Sequence, residues 1–567
     1  MARITARFVA AMVLVLATGP AAIRDAYGQA AFTLRGQWDD FGMSMTPLPG
    51  RLAVGSPITG FSEGRLDVFD LTTGAVTFSV TPFPSDRFFA WSLATLGTDV
   101  VAGAPGPGFN YLGDVRVIDG ASGSTLLTAA DPMGVGGDRF GYAVAVLGGN
   151  IVVGAPGKPM DIGNAHLVDA TTGAIVRTFS NPSPASDDRF GWAVAVLGAN
   201  VLVGAPGDDT AATDAGAAYL FDGATGALLQ SFFRPAAAAG DSFGTSLAVV
   251  GGNALIGAPY TAAGGSAELY DPATGALVRT FANPTPAAND YFGYALAAYG
   301  SNVLVGAPGD AAVYESGAAY LFDGATGGLL RTLVPPRQGT SFGWSLADAD
   351  GRIAVGDPLS SGPRDGNVHL FCGGAAGCGP CQTCGPGGSC VAAPNPTCFQ
   401  PVPRGAGLRI IDQPGTNDHV AWRWRRRGAY FIPSGGPDFG DPTAVHDYTL
   451  CVFDGGGALR FSAGLPAGGV CDGNPCWTAV NKDTYTYLDP DATPDGVVSA
   501  LLDAPGRIRL RVKASGPLLS SRPNGLPALP LTPPVRAQLQ ASEGLCWEGV
   551  FSAPGKNTSA RFIGRSD

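Results

Sequence analysis

Carboxylates gathered in short connecting segments are the side chains in this sequence best suited to chemistry. One set follows a recurring Gly-Ala-Pro triplet and consists of Asp161, Asp208, Asp209, Asp214, Asp310, Glu315 and Asp365. A second set precedes a recurring Phe-Gly pair and consists of Asp86, Asp138, Asp187, Asp188, Asp241 and Asp290. Such groups can bind a ligand, can work as general acid and base where two converge, or can cap turns.

The two motifs that flank these carboxylates recur along the chain in a fixed register. Phe-Gly or a near variant begins at Phe41, Phe89, Phe140, Phe190, Phe243, Phe292 and Phe342. The triplet or a near variant begins at Gly55, Gly103, Gly154, Gly204, Gly257, Gly306 and Gly356. The offset from Phe to Gly is 14 residues in every copy, and successive copies lie 48 to 53 residues apart. A period of this size indicates repeated supersecondary units that stack into one body.

Each copy reads as four short strands. In the third copy the strand patterns cover 142–147, 151–155, 164–169 and 174–179, with a Gly148-Gly149 hairpin turn after the first. An Asp-x-x-x-Gly turn joins the last two strands. The pattern predicts an all-β chain that begins with a seven-bladed β-propeller. The seventh copy stops after its third strand, so the run 31–36 is predicted to supply the missing fourth strand.

These motifs resemble the FG-GAP repeat, the blade unit of the integrin α-subunit propeller and of many secreted bacterial proteins. The resemblance covers residues 31–372, with Ala90, Ser56 and Asp357 as departures from the pattern. It implies a binding or adhesion scaffold that recognises extracellular proteins or glycans. On that basis the first set of carboxylates is the candidate ligand-binding face, and solvated or capped turns are the alternative.

The resemblance also implies where calcium would bind. Calcium-binding members carry an Asp-x-Asp-x-Asp-Gly loop between the first and second strands, and calcium takes six to eight oxygen ligands. Here these connections are short glycine turns, and only the seventh copy keeps two acids, Asp348 and Asp350. We therefore predict no metal site and no cofactor.

Aromatic residues directly follow the Phe-Gly position in five copies. They are Trp91, Tyr142, Trp192, Tyr294 and Trp344. Two interpretations stand: these rings line one face and stack on sugars, or they pack between neighbouring blades.

The sequence has no strong catalytic pattern, because H-E-x-x-H and P-loop motifs are missing. His166 and His369 share a third-strand position that other copies fill with unrelated residues, which indicates a surface or blade-packing position and not a catalytic one. His419 and His446 lie near no nucleophile motif. We expect a protein that is not an enzyme. The alternatives are an extracellular carbohydrate-active hydrolase or lyase that uses propeller carboxylates, and a structural envelope protein.

Residues 1–30 have the pattern of a secretory signal peptide, with Arg3 and Arg7 before the apolar run 8–17 and small residues before Ala31. The run is shorter than the roughly 20 residues of a spanning helix, and no later run is long enough. We expect a secreted or cell-surface protein with no transmembrane segment in the mature chain. The net charge of −11, which becomes −13 without residues 1–30, disfavours nucleic acid as a partner.

Beyond the propeller, residues 373–399 form a Gly/Pro-rich linker, and 400–567 read as a separate β domain, with a sandwich as the default. The cysteines in and beside the linker are Cys372, Cys378, Cys381, Cys384, Cys390 and Cys398. In a secreted chain they predict disulfides of unknown pairing. Cys451, Cys471, Cys476 and Cys546 are predicted to form two further bridges. The run 422–427 has the sequence WRWRRR and contains Arg423, Arg425, Arg426 and Arg427. It either binds an acidic polymer or forms a strand with Trp422 and Trp424 in the core and the arginines on the surface.

Overall fold

The computed structural model describes residues 32–35, 40–57, 64–82, 88–106, 112–157, 159–310, 317–335, 341–358, 366–372, 381–384, 389–394, 398, 401, 404–412, 418–427, 442–443, 447–481, 484–490, 497–503, 507–515, 529–541 and 546–567. The predicted signal peptide lies outside these residues, as do Asp86, Glu315, Asp365, Cys378 and His446.

Seven four-stranded antiparallel sheets follow one another along the chain, which confirms the predicted propeller. We call them blades one to seven and name their strands A to D from the inside outward. The A strands are Ser44–Leu48, Ser92–Leu96, Ala143–Leu147, Ala193–Leu197, Ser246–Val250, Ala295–Tyr299 and Leu346–Ala349. The B strands are Arg51–Ser56, Asp99–Ala104, Asn150–Ala155, Asn200–Ala205, Asn253–Ala258, Asn302–Ala307 and Arg352–Asp357.

The outer half of each blade is equally regular. The C strands are Arg65–Asp70, Asp114–Ile118, Asn164–Asp169, Ala217–Asp222, Ser266–Tyr270, Ala318–Phe322 and Asn367–Cys372. The D strands are Val76–Val80, Thr125–Ala130, Ile175–Ser180, Leu228–Phe232, Leu277–Ala282 and Leu329–Leu333, with Phe32–Arg35 in blade seven. A short 3-10 turn, Pro159–Asp161, follows strand B of blade three. No helix in the described ranges is long and apolar enough to cross a membrane.

The ring closes in two ways. The A strands of neighbouring blades contact one another in a complete circle, including the contact between blades seven and one. The N-terminal strand Phe32–Arg35 pairs antiparallel with Asn367–Cys372, with Phe32 opposite Leu370 and Leu34 opposite Val368. This confirms that the start of the propeller completes the last blade. The pairing covers the edge that strand C of blade seven would otherwise expose.

Hairpin geometry explains the constant 14-residue offset. Strands A and B pair across a two-residue turn, so Leu147 lies opposite Asn150 in blade three. The N–H of Gly141, the second residue of the Phe-Gly pair, donates to the carbonyl of Gly154 in the triplet at 3.1 Å. Six blades have this bond, and in blade two Trp91 donates to Gly103 instead. One inserted residue would move one partner out of register.

Glycine is required where the backbones of neighbouring blades touch. A Cβ on the triplet glycine of any blade would lie 2.0 to 2.2 Å from the carbonyl oxygen of Gly, or of Ala90, in the next blade's Phe-Gly position. A second glycine, just before strand C, meets the carbonyl of the adjacent Phe at 1.9 to 2.3 Å in the same way. These contacts run around all seven interfaces, and the Phe side chains between them are fully buried.

The C-terminal region contains two antiparallel sheets. The larger has the order Trp477–Asn481, Thr484–Leu488, Val497–Asp503, Arg507–Ser515, His419–Arg427, Gly407–Ile411, Arg561–Arg565 and Lys556–Thr558. The smaller has the order Leu459–Leu465, Tyr448–Phe453, Val535–Ala541 and Cys546–Phe551. One apolar core contains residues of both sheets, which confirms a sandwich-like fold. Trp422 and Trp424 lie in this core at 1% exposure, whereas Arg423 and Arg425 are exposed, as the core-Trp interpretation predicts.

The disulfides correct one expectation. Cys471 and Cys476 form a bridge across the hairpin of Val470–Cys471 and Asn474–Pro475. The prediction that the four C-terminal cysteines form two bridges among themselves is wrong for the other two. Cys451 pairs with Cys381, and Cys546 pairs with Cys398. The cysteine-rich segment, with its Gln382–Cys384 and Cys390–Ala392 hairpin, is thereby fastened to the smaller sheet. Cys372 and Cys390 are also disulfide-bonded.

We expect Gly154→Ala to destabilise the propeller and Gly149→Ala to leave it unchanged. The added methyl of the first variant would lie 2.0 Å from the Gly191 carbonyl oxygen, whereas that of the second meets nothing within 4 Å. The first should lower the free energy of unfolding by about 2–3 kcal/mol. Denaturant titration of both variants measures this, and equal stability of the two would contradict the backbone-contact interpretation.

We expect the double variant Cys381→Ser/Cys451→Ser to loosen only the C-terminal region. This bridge spans a sequence separation of 70, so its loss should cost about 2–4 kcal/mol of stability there and expose residues 373–399 to protease. The matched control is Cys471→Ser/Cys476→Ser, whose separation is 5 and whose loss should cost about half as much. Calorimetry measures the unfolding temperatures of both variants. A lower unfolding temperature of the propeller would contradict the prediction that the bridge stabilises only the C-terminal region.

Candidate functional site

A four-residue turn stands at the start of every A strand and presents two side chains at one mouth of the central channel. Its second and third residues are the Phe-Gly pair. Its fourth residue donates a backbone hydrogen bond to the carbonyl of its first, as Tyr142 does to Arg139 at 3.0 Å and Trp192 to Arg189 at 3.0 Å. The first residue and the glycine both have positive φ, 57° at Arg139 and 91° at Gly141. The Phe is thereby directed between blades, and the first and fourth residues remain at the mouth.

The fourth residues of these turns form a ring around the axis, which we call the collar. Its members are Met43, Trp91, Tyr142, Trp192, Thr245, Tyr294 and Trp344. Each collar side chain is partly exposed. The aromatic members of neighbouring blades touch, with ring centroids 5.5 Å apart for Trp91 and Tyr142, 4.6 Å for Tyr142 and Trp192, and 4.8 Å for Tyr294 and Trp344.

Collar residues from distant blades also influence one another electrostatically. Burial raises the pKa of the Tyr142 phenol, and the Tyr294 phenol adds to that effect, although the two residues belong to blades three and six. Tyr260, in the connection after strand B of blade five, is 49% exposed and contacts Tyr291 with ring centroids 5.4 Å apart. The mouth therefore has a floor of aromatic rings with a tyrosine at its rim.

Basic side chains stand among these rings. The guanidinium of Arg189 is exposed and lies 5.8 Å from the centroid of the Trp192 ring, within cation–π range. Arg139 occupies the same turn position in blade three and is half-buried. In blade two the equivalent residue is Phe88, which packs against Trp91 at 5.5 Å. Aromatic faces together with a guanidinium suit a ligand that has apolar faces and polar edges.

The candidate carboxylate face differs from the prediction, because two of its acids are buried. Asp208 and Asp310 are 0% exposed, so they cannot form part of a solvent-facing acidic surface. The Tyr219 hydroxyl donates to Asp208 at 2.6 Å, and the Tyr320 hydroxyl donates to Asp310. Their neighbours in sequence are less buried: Asp161 is half-buried, and Asp209 and Asp214 are exposed. The backbone N–H of Asp214 donates to the Asp209 carboxylate at 2.7 Å.

The carboxylates two residues before the Phe act as turn caps. Asp138, Asp188, Asp241 and Asp290 each accept a hydrogen bond from the backbone N–H three residues earlier, at 2.6 to 2.8 Å. All four are at most 2% exposed. The connection before each Phe bonds to the connection after strand B, as when Arg189 N–H donates to the Asp161 carbonyl at 2.7 Å. Both sets of loops therefore lie on one face of the propeller, and several of their aspartates accept the hydrogen bonds that fix these loops.

Asp188 differs electrostatically from an ordinary cap. Burial raises its pKa to about 6, with nearby Asp208 and Asp209 adding to the shift, while hydrogen bonds from Ala185 and Asn181 oppose it. One carboxylate oxygen of Asp188 has no hydrogen-bond partner. The ionisation of this carboxyl therefore changes between about pH 4 and pH 7.

The shared third-strand position is a blade-packing slot, as predicted. His166 and His369 are each 3% exposed and lie against Phe140 and Phe342 of the Phe-Gly pairs, with ring centroids 5.7 and 5.5 Å apart. Blade five places Glu268 there, where Arg234 neutralises it at 2.9 Å. Among the described residues no group of three or more His, Cys, Asp or Glu side chains is arranged to hold a metal ion.

Comparison with protein families agrees with this geometry. Residues 124–168, 182–221 and 284–322 match the model of the FG-GAP repeat, and each segment contains one Phe-Gly pair and one triplet. The propeller is of the FG-GAP type. A comparison with curated proteins found no match.

Sequence analysis identified the aromatic members of this FG-GAP collar without deciding between a face and an interblade role. In the structure the Phe of each pair fills the interblade core, so the residue after the glycine is left at the mouth. Arg189, Tyr291 and Tyr260 were missed. Arg189 and Tyr291 could have been found from their shared position just before the Phe-Gly pair. Tyr260 could not, because its connecting loop differs in length and sequence between copies.

We expect Asp188→Asn to raise propeller stability at pH 7 and to have little effect at pH 4. A raised carboxyl pKa means that the folded state binds the proton more tightly, so this contribution is full below about pH 4 and is lost as the pH rises through about 6. The gain should be of the order of 1 kcal/mol after solvent screening is included. Thermal midpoints of both proteins from pH 4 to 8 measure it.

The matched control is Asp138→Asn in blade three, where Lys158 holds the sequence position equivalent to Asp208. A gain of the same size in Asp138→Asn would show that replacing a capping carboxylate, and not the acids near Asp188, is the cause. A stability difference for Asp188→Asn that is constant from pH 4 to 8 would show that its ionisation is not the cause.

Proposed function

We propose that this chain is a secreted or cell-surface binding protein whose propeller recognises a glycan at the collar. The collar itself carries the proposal: five aromatic residues, partly exposed, surround one mouth of the channel, with Arg189 and Tyr260 at the rim. The C–H faces of sugar rings pack on aromatic rings, and the hydroxyl groups at their edges accept hydrogen bonds from guanidinium and phenol groups. Disulfide bonds and FG-GAP repeats are compatible with an extracellular location.

A rigid frame supports this role. The collar residues are fixed by backbone hydrogen bonds within the turns and by contact with their neighbours, so little side-chain freedom is lost when a ligand binds. The loops around the mouth vary in length and sequence between blades, which suits ligand selection on a constant scaffold.

The proposal assigns no catalytic step. One observation favours a carbohydrate-active hydrolase: Asp188 has a raised pKa and lies near the Asp208 carboxylate, a pattern seen in acid–base pairs. Both side chains are 0% exposed, however, so a glycosidic oxygen has no access to them. Binding without turnover is therefore the function that the geometry supports better.

We expect the full chain to bind members of a glycan array and the double variant Tyr142→Ala/Trp192→Ala to lose that binding. Removing two central aromatic anchors should weaken affinity by at least about tenfold, since such residues commonly contribute more than 1 kcal/mol each. Binding should also change tryptophan fluorescence, because Trp91, Trp192 and Trp344 belong to the collar.

The control is Tyr299→Ala. Tyr299 is a partly exposed aromatic at the end of an A strand, at the mouth opposite the collar. The Tyr299→Ala variant should bind glycans with the same affinity as the unmodified chain. Equal losses in both variants would refute a specific collar site, binding of matrix proteins alone would replace the glycan with a protein ligand, and product release from a bound polysaccharide would favour the hydrolase.

A further inference from the structure

The outer face of the larger C-terminal sheet carries an ordered group of cations. Along each strand, alternate residues enter the core, so the others share the outer face. We call the exposed cations at these positions the basic sheet face: Arg409, Arg423, Arg425, Arg511, Lys513, Arg561 and Arg565. They come from four adjacent strands, Arg561–Arg565, Gly407–Ile411, His419–Arg427 and Arg507–Ser515.

The strand register places like charges side by side. Arg423 lies directly opposite Arg511, and Gly407, on the other side of Arg423, lies opposite Arg565. The Arg423 side chain extends over Gly407, because a Cβ built there would lie 2.8 Å from its Nε atom. In the next row Arg409 and Lys513 flank Ala421. Like charges directly opposite each other destabilise a sheet, so folding alone does not account for this arrangement.

No carboxylate of the described residues lies within salt-bridge distance of Arg409, Arg423, Arg425, Arg511 or Lys513. The local field is also visible on His419, which lies on the same face. Its pKa is lowered by burial first, and by the charges of Lys513 and Arg409.

The rest of the chain has the opposite charge. Residues 31–372 contain 15 Lys+Arg and 30 Asp+Glu. Residues 400–567 contain 17 Lys+Arg and 15 Asp+Glu. An anionic ligand would be repelled by the propeller and attracted to the sheet, which gives the molecule an electrostatic polarity.

We propose that the basic sheet face binds an anionic polysaccharide that carries carboxylate or sulfate groups. Cations are spaced at about 6.6 Å along a strand and about 4.8 Å between strands, so they match a polymer with closely and regularly spaced anions. Guanidinium groups bind such planar or tetrahedral anions through paired hydrogen bonds. Trp422 and Trp424 face the core, so their rings are not available on this face as stacking platforms for nucleic-acid bases. This site is separate from the collar and does not depend on it.

The test measures binding of the full chain to heparin and polygalacturonate, with dextran as the neutral polymer, oligo(dT) as the nucleic acid and poly-glutamate as the acidic peptide. We expect both anionic polysaccharides to bind, dextran not to bind at this site, and affinity to fall by about tenfold or more between 50 and 200 mM salt, as screening predicts.

Arg423→Glu separates binding from folding. It replaces a like-charge pair with an opposite-charge pair across the strands, so its thermal midpoint should stay equal or rise while polysaccharide affinity falls at least tenfold. Arg423→Glu/Arg511→Glu should lose still more affinity. The matched control, Ala121→Glu/Ala224→Glu, changes the net charge by the same amount as Arg423→Glu at two exposed propeller turns and should leave this affinity unchanged. A collar control, Arg139→Glu/Arg189→Glu, measures any share of the binding that belongs to the propeller.

Several results would overturn the proposal. Unchanged affinity in Arg423→Glu would remove the face from the binding site, and a fall in its thermal midpoint together with affinity would make the effect structural. Oligo(dT) or poly-glutamate binding as tightly as the polysaccharides would exclude the proposed ligand class. Loss of anionic polysaccharide binding only in the collar control would assign the site to the propeller.

Discussion

The close contact of glycine backbones between neighbouring blades is the constraint on which the rest of the propeller depends. At each of seven interfaces, two glycines lie so near a carbonyl of the next blade that a single methyl group would collide with it. That spacing brings the Phe side chains into the interblade core and lets the A strands form a closed circle. The N-terminal strand then covers the last open edge. Apolar burial stabilises each blade, but neighbouring blades can pack together only because the interface glycines have no side chain.

The same turns decide which side chains remain for binding. Because the Phe-Gly turn directs one residue between blades, the residues on either side of the pair stay at the channel mouth, and in most blades these are aromatic or basic. The buried aspartates of the surrounding loops accept hydrogen bonds from backbone N–H and tyrosine hydroxyl groups, which fixes the loops around that mouth. The acidic residues support the site, and the rings and guanidinium groups form its surface.

The two halves of the chain offer contrasting surfaces. The propeller is strongly acidic by composition but has an aromatic mouth, whereas the sandwich has a near-neutral composition with its cations concentrated on one sheet face. Two disulfides join the cysteine-rich segment to the smaller sheet, so the chain that leaves the propeller is fastened to the sandwich a short distance later. The chain therefore presents two chemically different surfaces on β frameworks.

The sequence by itself determined the propeller, because the Phe-to-Gly offset, the turn residues and the alternating strands are local patterns repeated seven times. Strand alternation is also a local property, and a core position for Trp422 and Trp424 was one of the two interpretations that it allowed. Tertiary structure decided which groups are exposed. Asp208 and Asp310 look like surface acids until Tyr219 and Tyr320, from a neighbouring strand, cover them. The pairing of Cys451 with Cys381, and of Cys546 with Cys398, was likewise beyond the sequence. Contacts between residues distant in the chain depend on how whole elements pack, and residue spacing does not record that.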